Sequence, residues 1–176
     1  MDRYVRFSKY ADEYGEELTE QIENWQNNVD DVLSKAGDAH HKMMRCLERY
    51  ETLSARAMSC AGIDYARMGR YGVKITSSHN NSIEDVYCDL YDAEVDYQNA
   101  RIAYEDARLE LIDLIETAGL TDKQQRVMYL RYADGTYPDF NIIARRCGLA
   151  SYWAACKQYE RGFVKIATYL RGQGRA

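Results

Sequence analysis

From Ile83 to Leu114 apolar residues recur at alternating intervals of three and four: Ile83, Val86, Leu90, Ala93, Tyr97, Ala100, Tyr104, Ala107, Leu111 and Leu114. This unbroken heptad seam is the pattern of a long helix packed along one side. Ser82 is its expected N-cap, Glu84 and Asp85 suit its first turn, and Gly119 is its expected stop. A helix over about 83–118 spans roughly 54 Å at 1.5 Å per residue. Alternating tyrosine and alanine lets a ring on one helix fill the gap left by a methyl on its neighbour. Met43, Leu47, Tyr50, Ser54, Ala57 and Ala61 repeat at the same spacing and predict a helix over about 39–61. Phe7, Ala11, Tyr14, Leu18, Trp25, Val29 and Val32 predict another over about 8–36, ending at Gly37-Asp38. Between the second and third helices, residues 62–82 carry Gly62, Gly69 and Gly72 and the polar run from Thr76 to Asn81. They read as a polar loop, long for a passive connector.

After Gly119 the pattern shortens. Thr121-Asp122-Lys123-Gln124 is a capping box that opens a helix through Val127, Met128 and Leu130 to Tyr132. Asp139 is the expected N-cap of a short helix carrying Phe140, Ile143, Ala144 and Cys147. Gly148 supplies a left-handed turn, and Ser151 caps a third helix running to about Leu170. A short helix, a glycine turn and a longer helix form the helix-turn-helix outline. Ala144 belongs where the two helices cross closely, Leu149 in the angle between them, and Ala155, Tyr159, Phe163 and Ile166 on the inner face of the third. The expected fold class is therefore all-α. A long coiled-coil-like helical hairpin lies in an acidic region over 1–119, and a helix-turn-helix domain follows over 120–176. The seam over 83–114 serves equally to join two stretches of one chain or two copies in a homo-oligomer.

Composition agrees with helices: the chain has one proline among 176 residues and 29% charged residues. No apolar run approaches the roughly 18 residues of a transmembrane helix. The residues after Met1 form no apolar signal segment, so no membrane contact and a cytoplasmic location are expected. The net charge of −5 conceals an asymmetry: residues 120–176 carry ten lysines and arginines against four acids, so the rest of the chain is strongly acidic. A basic third on an acidic body is an electrostatic pointer to a polyanion. Five cysteines without CxxC or CxxH spacing read as reduced thiols. His40 and His41 are adjacent, which points them about 100° apart on a helix and away from a shared metal. No carboxylate pair, nucleophile elbow, phosphate loop or metal spacing appears, so neither an enzyme nor a cofactor is expected.

The stretch Leu120-Thr121-Asp122-Lys123-Gln124-Gln125-Arg126-Val127-Met128-Tyr129-Leu130-Arg131-Tyr132, then Gly135, then Phe140 to Gly148 and Ser151, resembles region 4 of bacterial sigma factors. It is more closely similar to the phage and prophage late-transcription regulators of the RinA/ArpU type, which end in that domain. The likeness extends over about residues 40–170, with its specific part within 120–167. It departs from the family at the longer link containing Pro138, at Phe140 in the place of a tryptophan, and at Arg145 and Arg146 where acids are common. Trp153, Glu160 and Gly162 in the third helix and the acidic helix over 8–36 also depart.

The resemblance implies a sequence-specific regulator of transcription, an activator of phage late genes, that binds double-stranded DNA with its third helix, about 151–170, in the major groove. In that geometry Gln158 reads adenine and Lys157 or Arg161 reads guanine. Ser151, Arg145, Arg146 and Lys123 neutralise phosphates and set the register. Tyr152 and Trp153 share the same face, Trp153 either against the nucleic acid or packed on the second helix. The alternative is a protein-interaction module that imitates sigma region 4 to engage RNA polymerase or another partner, or a phage DNA-packaging recognition subunit.

Overall fold

The structure is a computed structural model that describes residues 15–68 and 83–174. Five helices follow in order: α1, Glu16–Met68; α2, Ile83–Thr117; α3, Asp122–Tyr132; α4, Phe140–Arg146; and α5, Tyr152–Gly172. No strand occurs among the described residues, so the all-α class holds. Among these residues no helix is long and apolar enough to cross a membrane. The start of the helix expected over 8–36, the Ser82 cap and loop positions 69–82 lie outside the described residues.

The first correction falls at Gly37-Asp38, where two helices were expected and one continuous α1 is found. Gly37 is not a stop. It is buried, and a Cβ built on it would lie 2.6 Å from Gly135 Cα and 2.8 Å from Gly135 N. The glycine lets the α1 backbone press against the connection between α3 and α4, and a helix tolerates one glycine at about 1 kcal/mol. The same helix continues through 62–68, so these residues are helical where a polar loop was expected.

The chain also divides differently from the expected boundary at 119/120. One compact unit comprises residues 15–40 and 105–174, the other residues 41–104. In the first unit a single apolar core joins Ile22, Val29 and Leu33 of α1 and Leu111, Leu114 and Ile115 of α2 to Val127, Met128, Ile143, Phe163 and Ile166 of the three short-pattern helices. Residues 120–174 are thus built around parts of both long helices.

The short helices end as their sequences dictate. Gly119 (φ +69°) closes α2, and its carbonyl accepts a 2.9 Å bond from Lys165 Nζ. At α3 the capping box forms in full, with Thr121 N donating to Gln124 Oε1 at 3.0 Å. The connection to α4 turns through Gly135 (φ +66°) and Tyr137 (φ +45°). Tyr137 is held there by its neighbours. Its ring lies edge-on to Tyr132 at 6.0 Å, and Arg131 Nη1 donates to the carbonyls of Tyr137 and Pro138 at 2.7 and 2.9 Å. Gly162, one of the departures from the family inside α5, sits where a Cβ would meet Met128 Cγ at 3.1 Å, so it too marks a close approach.

In the second unit, Tyr50 of α1 stacks on Tyr97 of α2 with centroids 6.3 Å apart, and Arg49 pairs with Asp96 at 3.0 Å. Ala57, Val86, Ala93 and Ala100 are buried here, as are Leu111 and Leu114 in the first unit. Of the two arrangements the seam allowed, two stretches of one chain or two copies, these positions are buried within one chain.

Candidate nucleic-acid interface

The candidate surface starts from the turn between α4 and α5. Asp139 caps α4 by accepting a 2.7 Å bond from Asn141 N. Gly148 takes φ +64°, and Leu149 N donates to Ala144 O at 2.8 Å, which closes the α4 C-terminus. Ser151 then opens α5 by accepting from Ala154 N at 3.2 Å. Its hydroxyl is already engaged as a cap, so it meets a phosphate only together with the backbone amides around it. Ala155, Tyr159, Phe163 and Ile166 are buried on the inner face of α5, and Ala144 is buried at the crossing, as their spacing predicts.

What remains on the outside is mixed. Lys157 is exposed, Gln158 and Arg161 are half-buried, and Trp153 is 75% exposed. Trp153 is therefore a surface residue rather than packing for α4. Tyr152 is different: it is half-buried, edge-on to Phe140 at 5.9 Å and to Trp153 at 5.2 Å. A hydrogen bond with Cys156 raises its hydroxyl above the usual tyrosine range. Expected as a contact residue, Tyr152 sits instead as a prop between Phe140 and Trp153.

The structure brings part of the expected set together. Thr121, Asp122, Lys123 and Gln124 at the start of α3 share an open groove with Gln158 and Arg161 of α5. Lys123, far from the third helix in sequence, thereby joins two of its candidate readers. Arg161 reaches this groove with its Nε buried. Arg145 and Arg146 are exposed in the last turn of α4, and among the described residues neither forms an ion pair. They do not share the groove of Lys123.

One cation was overlooked by the sequence reading. Arg126 is exposed on α3 and lies close enough to Cys147, at the α4 C-cap, to act on its thiol: burial pushes that thiol up, and Arg126 pulls against it. The signal was available, since Lys123 and Arg126 are three apart and share one exposed face of α3. Conversely, Arg131, Lys165 and Arg171 counted towards the basic third but serve the fold. Arg131 and Lys165 hold backbone carbonyls, while Arg171 donates to Gln21 Oε1 at 2.6 Å and stacks over Trp25 at 5.1 Å.

Beneath the surface, Tyr132 donates to Asp30 Oδ1 at 2.6 Å and shares a 2.7 Å hydroxyl contact with Tyr159. Burial first, then Tyr159 and the negative charge of Asp30, push the Tyr132 phenol well above its ordinary range, and burial followed by Asp30 does the same for Tyr159. This chain links α1, α3 and α5 behind the candidate face. Among the described residues no group of histidines, cysteines and acids is arranged to hold a metal, and Cys46, Cys88, Cys147 and Cys156 form no disulfide. No protein-family model, curated protein or solved structure matches the chain.

Proposed function

We propose that this chain is a sequence-specific double-stranded DNA-binding regulator of transcription. In this reading α4, the Gly148 turn and α5 act as a helix-turn-helix with α5 in the major groove, and residues 41–104 form a coiled-coil-like hairpin. The observation that carries it is the outward face of α5, where Lys157 is exposed and Gln158 and Arg161 meet Lys123 across one groove. Side chains that can pair with base edges and a cation that can meet a phosphate lie side by side there, the division of labour that duplex recognition needs. Arg126, Arg145 and Arg146 widen the basic margin. The likeness to sigma region 4 supports regulation of phage late genes as the setting.

The test is selection of the full chain on randomised duplex DNA near physiological salt. A Lys123→Ala/Lys157→Ala variant runs alongside, because both side chains are exposed and their loss spares the core. A recovered motif, weaker binding and relaxed specificity in the variant, and a salt dependence shallower by about one phosphate contact are expected. Binding with no recovered motif, unchanged in the variant, refutes the reading.

A second reading, attachment to RNA polymerase or another protein through the same face, is favoured by the exposed apolar pair Trp153 and Ile142, 75% and 44% accessible. Trp153→Ala separates the two. Under the DNA reading it relaxes the motif at one position, and under the protein reading it abolishes polymerase association and leaves the motif intact.

A further inference from the structure

The second unit carries an apolar stripe that its own packing does not use. Tyr87, Tyr91, Val95 and Ile102 of α2 are 50%, 67%, 40% and 60% exposed. At 100° per residue they fall within about 80° of arc, on the side of α2 roughly opposite the buried Val86, Ala93 and Ala100. Surface residues of this kind scattered singly would need no explanation, but four within one arc over about four turns, interrupted by the exposed Gln98, share one side of the helix. The borders of that face are acidic. Asp92 lies on one flank and Glu94 on the other, and Glu84 stands at its N-terminal end, all three exposed. Over residues 83–104 there are six acids and one basic residue, Arg101.

We propose that this face of α2 is a docking site for a protein partner that presents an amphipathic helix with basic residues flanking its apolar stripe. The length from Tyr87 to Ile102 is about 23 Å at 1.5 Å per residue, which four turns of a partner helix would cover. Charge decides the kind of occupant. A second copy of this chain on the same face sets one acidic helix against another. A partner with lysine or arginine beside its apolar row meets carboxylates instead. Duplex DNA is excluded from the face by the same charge. The site is therefore separate from the α5 surface, and it does not depend on the DNA-binding reading.

The experiment presents full-length protein with a displayed library of 20-residue helical peptides that have a fixed leucine stripe and flanking positions randomised among Lys, Glu and Gln. Peptides enriched in flanking lysine are expected. Their affinity should fall at least tenfold for Tyr91→Gln/Ile102→Gln, and several-fold, with weaker salt dependence, for Asp92→Asn/Glu94→Gln. All four positions are exposed, and circular dichroism of each variant checks that the helices persist. Lys123→Ala/Lys157→Ala should bind the peptides like the parent, which separates this site from the DNA face. No enrichment, enrichment of acidic or neutral flanks, or binding that survives Tyr91→Gln/Ile102→Gln overturns the proposal. So does a concentration-dependent dimer in sedimentation that Ile102→Gln abolishes, since the occupant would then be a second copy.

Discussion

Two buried residues of this protein do work that their types alone would not suggest. Gly37 stands in the middle of a 53-residue helix, where alanine would ordinarily stabilise by about 1 kcal/mol. Its Cα faces the Gly135 backbone instead, with no space for a methyl. Gly37→Ala should therefore destabilise by about 1–3 kcal/mol in urea titration. Gly172→Ala, where a Cβ meets nothing within 4 Å, should be neutral or slightly stabilising. The sign of the Gly37 effect is the test, because a stabilised variant would mean the close approach does not exist in solution. Tyr132 is the second case, bridging Asp30 and Tyr159. Both phenols are held protonated in the fold, above the ordinary value of 10.0, whereas in the unfolded chain they ionise near it. The unfolded state then binds fewer protons as pH rises, so the stabilisation is complete below pH 10 and is lost progressively above it. Tyr132→Phe/Tyr159→Phe should be less stable at pH 8, by about 1–3 kcal/mol for each buried partner left unsatisfied, yet decline less steeply between pH 10 and 11.5. Urea midpoints at the three pH values measure both effects.

Among the elements, the turn from α4 to α5 shows local chemistry and packing in agreement. Gly148 was legible as a left-handed residue because it follows a short apolar pattern and precedes a serine cap, and the structure finds it at φ +64° in open space. With no neighbour to clash, replacing it costs only backbone strain. Gly148→Ala should lower stability by about 1–2 kcal/mol, and Gly148→Asn by less, because asparagine tolerates that conformation. Thermal melts of the two variants give the ranking, and equal losses would point to a packing role that the structure does not contain. Helix starts were similarly legible: Thr121, Asp139 and Ser151 all cap as their residue types predict, because capping is decided within four residues of chain. The end of the first helix at Gly37 was misjudged because the reason for that glycine lies about a hundred residues away.

For the molecule as a unit, the core that unites Ile22, Val29, Leu33, Leu111, Leu114 and Ile115 with α3, α4 and α5 makes residues 120–176 dependent on the long helices. Expressed alone, that fragment should show weak near-ultraviolet dichroism and no cooperative melt, while the full chain melts cooperatively. A fragment that melts sharply would restore a boundary at 119/120. The candidate interface was partly legible at this scale. Lys157, Gln158 and Arg161 follow from helical periodicity, and Lys123 joins Gln158 and Arg161 only through the packing of α3 on α5. Tyr152 was placed on the contact face because periodicity gives direction and not depth, and Phe140 takes up its ring.

The amino-acid sequence by itself determined the helical class, the caps, the apolar seam of α2 and the inner face of α5. Each of these depends on residues within one or two helical turns of one another. Tertiary structure alone decided which glycines are contacts and which are turns, which cations of the basic third remain available, and that the seam is filled within one chain. It also decided that the outer side of α2 keeps its tyrosines, Val95 and Ile102 in water. Those outcomes depend on which surfaces meet across long separations in the chain, and the periodicity of a single helix carries no record of its neighbour.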